Sequence, residues 1–76
     1  MIAKEHDIVV LVQGLPEHGL EAGDVGTIVD VRGEGAELEV EFVTGDGRTV
    51  GVATLEPTDL RKLDAGEILH ARRVSA

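Results

Sequence analysis

The sequence predicts an all-β chain of five short strands around one small core. Three observations carry this. Ile8-Val9-Val10-Leu11-Val12 is a continuous, mostly β-branched run too short for a stable helix. Leu38, Val40 and Phe42 alternate with Glu37, Glu39 and Glu41, the period-2 signature of a half-buried strand. Gly23-Asp24-Val25-Gly26 sets a Gly-Asp turn directly before another alternating segment.

Residues 6–13 read as the first strand. Residues 14–23 form a long connection in which Pro16 blocks strand pairing and glycines supply bends, with Leu15 and Leu20 folding back on the core. Residues 24–32 read as the second strand: Val25, Thr27, Val29 and Val31 face one way and Gly26, Ile28, Asp30 and Arg32 the other. Gly26 inside it signals a bulge or sharp bend. Gly33-Glu34-Gly35 is a tight turn, and residues 36–44 are the third strand. Asp46-Gly47 marks a hairpin into residues 48–55, with Val50 and Val52 toward the core and Gly51 leaving room for a crossing backbone. Glu56-Pro57-Thr58-Asp59-Leu60 reads as a single 3₁₀ turn before a fifth strand over 60–63. This order, with one short 3₁₀ turn ahead of the last strand, is that of a small five-stranded SH3-like barrel. The barrel is expected over residues 1–63, followed by a tail over 64–76 that fits neither helix nor strand well.

Seventy-six residues make one domain, which buries only about 60% of the surface its unfolded chain exposes. There is no cysteine, which removes disulfides and thiolate metal sites, and no cofactor is expected. With one Phe and neither Trp nor Tyr, the core must be Val, Leu and Ile, and the usual platform for stacking bases is missing. No signal peptide and no membrane-spanning apolar run is legible, so a soluble cytoplasmic protein is expected. The net charge is −8, and residues 1–60 carry −10 while residues 61–76 carry +2. The acidic body should repel nucleic acid and attract a basic partner.

The candidate partner-binding residues follow from that charge. Glu37, Glu39 and Glu41 form a carboxylate row on one strand face, which is either a solvated face or a site for Arg and Lys of a partner. Asp30 and the loop residues Glu17, His18 and Glu21 extend the set. The three histidines lack metal-ligand spacing, so no metal site is expected. Ser75 is the sole serine and stands at the chain's end, where no Ser-His-Asp arrangement is plausible, and the chain is expected not to be an enzyme. His70-Ala71-Arg72-Arg73 is a small basic cluster that could contact phosphates or fold onto the chain's own acidic body. An uncovered edge of an open barrel could also pair with a second copy as a homodimer.

Three segments then resemble a family: Lys4-Glu5-His6-Asp7-Ile8-Val9-Val10-Leu11, Leu15-Pro16-Glu17-His18-Gly19-Leu20 and Gly23-Asp24-Val25-Gly26-Thr27-Ile28-Val29. Together with Glu39-Val40-Glu41-Phe42-Val43, Asp46-Gly47-Arg48-Thr49 and Thr54-Leu55-Glu56, they look like the small bacterial domain of unknown function 4926. The resemblance implies a compact β-barrel of bacterial cytoplasmic origin and assigns no activity or catalytic residue. It further implies one half of a two-gene pair, an antitoxin- or immunity-like protein. The function expected is therefore a non-catalytic module that binds a basic protein. The alternatives are a nucleic-acid- or ribosome-associated module and a docking subunit of a larger complex.

Overall fold

The computed structural model describes residues 2–74. The expectation for Ser75 lies outside the described residues. Five strands, β1 (Ile8–Leu11), β2 (Val25–Arg32), β3 (Glu37–Val43), β4 (Thr49–Leu55) and β5 (Leu60–Lys62), form one antiparallel sheet in the order β4-β3-β2-β1-β5. Three 3₁₀ turns, Pro16–His18, Gly33–Gly35 and Pro57–Asp59, stand where one was expected. The two additional turns occupy connections already read as irregular, where proline or positive φ favours a tight turn over extended chain. No helix of the described residues is long and apolar enough to cross a membrane.

The core takes one face of every strand. Val9 and Leu11 of β1, Ile28 of β2, Leu38, Val40 and Phe42 of β3, Ala53 and Leu55 of β4, and Leu60 of β5 are all buried together. Leu20 joins them from the long connection and Leu15 packs against them, as the sequence predicts. The two leucines also exchange backbone hydrogen bonds of 2.9 and 3.1 Å that close the loop at its neck. Because edge strands β4 and β5 share this cluster, the sheet curls around it. They do not pair with each other among the described residues, so the sheet is open rather than closed into a barrel.

Two bulges correct the face assignments. The β2–β3 register shifts between Ile28 and Asp30. Gly26 and Ile28 therefore face inward, but beyond the bulge Val31 packs on the core while Val29 is 41% exposed. The β3–β4 register shifts between Phe42 and Val43, which pair with Gly51 and Thr49 and leave Val50 as the extra residue. Val50 packs against the core, but the shift of one position turns Val52 out to 49% exposure and brings in Ala53 and Leu55. Gly51 has open space where a side chain would stand, so no backbone crosses there. The close approach is at Gly26, where an added Cβ would lie 2.7 Å from Val40 Cγ1 and 2.8 Å from Phe42 Cε1. Glycine at that point lets β3 side chains fill the centre of the small core.

Candidate partner-binding surfaces

The pleat of β3 turns Glu37, Glu39 and Glu41 to the outer face, opposite Leu38, Val40 and Phe42. Asp30 lies directly across from Glu39, and Val52 across from Glu41. Exposed Val29, Val43 and Val52 lie on the same three strands, so acidic and apolar surface alternate. The row is unevenly committed. Glu39 accepts hydrogen bonds from Arg32 and Thr54, one flanking strand on each side. Glu41 accepts one from Thr49 Oγ1 at 2.8 Å, and Asp30 caps the Val31 N–H at 3.0 Å. Glu37 is exposed and makes no side-chain hydrogen bond among the described residues.

The loop residues lie apart from this face. Glu17 and His18 sit exposed on the first 3₁₀ turn and have no ion-pair partner among the described residues. Glu21 is drawn into a second constellation, centred on a residue absent from the predicted set. That residue is Asp24, 8% exposed.

Local sequence fixes Asp24. Gly23 donates its N–H to Leu11 O at 2.8 Å and Leu11 donates back to Asp24 O at 2.9 Å, clamping the turn to the end of β1. Asp24 N–H donates to Glu21 O at 3.0 Å, and the Glu21 N–H returns a bond to Asp24 Oδ2 at 2.8 Å. The carboxylate is thus oriented before any side chain reaches it. Arg72, 48 positions later, then engages both of its oxygens: Nε to Oδ1 at 2.8 Å and Nη2 to Oδ2 at 2.6 Å. Nη2 also donates to Gly19 O at 2.9 Å, while Glu21 Oε2 stands 3.6 Å from Nη1 and His70 Nε2 3.6 Å from Asp24 Oδ1. Burial by itself would raise the Asp24 pKa. The hydrogen bond from Arg72, that from Glu21 N–H, and the charges of Arg72 and His70 together outweigh burial and hold it below the ordinary value.

The tail that supplies Arg72 has a second anchor. Arg61 on β5 makes a two-pronged bond to Glu67, Nη1 to Oε1 at 2.7 Å and Nη2 to Oε2 at 2.6 Å. That bond, with the Asp64 N–H, lowers the Glu67 pKa to about 2. Leu63 N–H reaches Ile8 O at 3.2 Å, so the tail leaves beside one end of β1 and docks beside the other. Between tail and sheet lies a groove of about 880 Å³, walled by Leu20, Phe42 and Val50 on one side and Leu69 and Ala71 on the other. The tail therefore folds onto the acidic body, one of the two outcomes open for its basic cluster.

No sequence rule links positions 24 and 72. The available signals were an aspartate that follows Gly23 at the start of a strand and a lone pair of arginines following an acidic body. Among the described residues, no group of three His, Cys, Asp or Glu side chains could hold a metal ion. Comparison with curated proteins and with solved structures returns no match. A family model described as domain of unknown function (DUF4926) matches residues 5–62, which takes in all five strands and Asp24 but stops short of Arg72. With more than half its length matched, from the first strand through the last, this chain belongs to the DUF4926 family.

Proposed function

We propose that this protein is a non-catalytic interaction module that binds a basic protein partner on the outer face of β2, β3 and β4. One observation carries the reading: Glu37, Glu41 and Asp30 project from a sheet face that also exposes Val29, Val43 and Val52. Apolar area supplies affinity in such a patch, and carboxylates steer a cationic partner and select its register. Glu39, already bonded to Arg32 and Thr54, holds the face in shape more than it reaches outward. Glu17, His18 and Glu21 would form a second contact surface, apart from this face. In this reading the module works in a bacterial cytoplasm and neutralises its partner as an antitoxin or immunity protein does, on an SH3-like scaffold. The nucleic-acid alternative leans on Arg72 and Arg73, and the engagement of Arg72 by Asp24 weakens its support.

The test is affinity capture from native lysate at low and high salt, with wild type beside the double variant Glu37→Lys, Glu41→Lys. A basic protein held at low salt, released at high salt and lost from the double variant is the expected result. Equal retention by both proteins at both salts would overturn the outer-face reading. Recovery of ribosomes or nucleic acid would favour the first alternative, and recovery of a multisubunit complex the second.

A further inference from the structure

Asp24 is the one charged side chain buried among the described residues, yet its principal partner is Arg72, which lies beyond the family match. Apart from His70, which stands 3.6 Å from Asp24 Oδ1, the remaining residues that shape the site lie within the match. The turn at residues 16–18 ends on Gly19 with φ of 70°, a conformation that favours glycine and directs its carbonyl to the guanidinium. The Glu21 N–H fixes the Asp24 carboxylate. Beside Arg72 a groove of about 500 Å³ opens between Pro16, Leu20 and Ala22, suited to the aliphatic stem of a long cationic side chain.

The tail is held mainly by polar contacts. Residues 64–74 form no strand or helix, and Ile68 and Leu69 are 96% and 63% exposed. The exposed Arg61–Glu67 bond detaches at small cost, whereas the part-buried Arg72–Asp24 pair gives way only to a ligand that takes Arg72's place on the carboxylate.

We propose that Asp24 and the Gly19 carbonyl form an arginine-selective subsite, and that Arg72 is an internal ligand which an arginine of the basic partner displaces. This rests on the reading of the chain as a basic-partner module and names the side chain recognised. Two carboxylate oxygens and a carbonyl, which accept from Arg72 Nε and Nη2, match the fork of a guanidinium, which an ammonium cannot reproduce. The tethered Arg72 competes at an effective concentration on the order of millimolar, so a lone arginine binds poorly while a partner that also engages the outer face prevails.

The experiment titrates full-length wild type and Arg72→Ala with N-acetyl-arginine amide and N-acetyl-lysine amide, reading the amide NMR signals of Gly19, Glu21 and Asp24. Arg72→Ala should bind the arginine compound saturably, at least about tenfold more tightly than wild type does. It should bind the lysine compound at least about tenfold more weakly than the arginine one. Adding Asp24→Asn should abolish both. Absence of saturable shifts, equal binding of the two compounds, or equal binding by wild type and Arg72→Ala would overturn the proposal. Arg72→Gln serves if Arg72→Ala fails to fold. In wild type itself, the Arg72 Nε–H signal should also collapse when an arginine-rich hexapeptide is added. The variant Glu37→Lys, Glu41→Lys should bind the arginine compound unchanged, so failure of the outer-face reading and failure of this subsite are read separately.

Discussion

Two sets of carboxylates divide this molecule. On β3, Glu37, Glu39 and Glu41 ride a strand whose other face is core, and water or a neighbouring side chain meets each of them. At the mouth of β2, Asp24 is buried, fixed by backbone N–H groups and paired through both oxygens. The same charge serves two purposes because of where the backbone places it. A strand repeats every second residue and builds a broad, repeating surface; a turn clamped to a strand end builds one oriented acceptor. The row suits long-range steering, which salt weakens. Asp24 suits short-range geometry, which salt weakens less.

The largest effect should come from removing what both regions share. Phe42 is 3% exposed, backs the carboxylate row and lines the groove beneath the tail. Phe42→Ala should cost about 3–5 kcal/mol, a large part of the roughly 5–15 kcal/mol that holds a typical domain. Circular dichroism melts should show no cooperative transition, or one far below wild type. A melting temperature close to wild type would show that neither region depends on the core beneath it.

An intermediate effect should separate the two regions by pH. The Asp24 pKa is lowered in the folded state, so the associated stability is fully present above the unfolded value near 3.8 and is lost as pH falls through the lower folded value. Glu67 behaves alike, between its unfolded value of 4.5 and about 2. Arg72→Ala removes the Arg72 hydrogen bond and charge that help to hold Asp24 down, keeps the Glu21 N–H bond and His70, and leaves the burial that pushes it up. The acid midpoint of the tail and loop signals should therefore move to higher pH than in wild type, and more than in Glu37→Gln. An unchanged midpoint would mean that the Asp24–Arg72 pair does not hold the tail in solution.

The division between the two regions also marks what the sequence could tell. The β3 row was legible because strand periodicity is local: Glu37 to Phe42 alternate without interruption. The fate of Val52 was not, because the bulge at Val50 is set by how β4 fits around β3, and one extra residue inverts every later assignment. Gly26 signalled an irregularity correctly in kind but not in place. It is the point of close packing, while the bulge lies between Ile28 and Asp30. Asp24 was visible as a turn residue, and the basic cluster was visible as one that could return to the acidic body. Their union spans 48 positions with no repeating pattern between, so only the folded path of the tail along β1 brings them together.

The smallest effect is expected at Glu37, and its smallness is informative. Glu37 makes no side-chain hydrogen bond among the described residues, and its face is in water, so folding neither gains from its charge nor shields it. Glu37→Gln should change stability by no more than about 0.5 kcal/mol, as for other surface positions without a specific contact. If the outer face binds a cationic partner, the same substitution should still slow association and weaken its salt dependence, since steering needs only the charge and no fixed partner. Stopped-flow association kinetics against the captured partner, beside thermal melts, would register both quantities. A substitution silent in the melts and evident in the association rate would assign the row to recognition. One that is silent in both would leave the row as a solvated face and put recognition on the Asp24 side of the molecule alone.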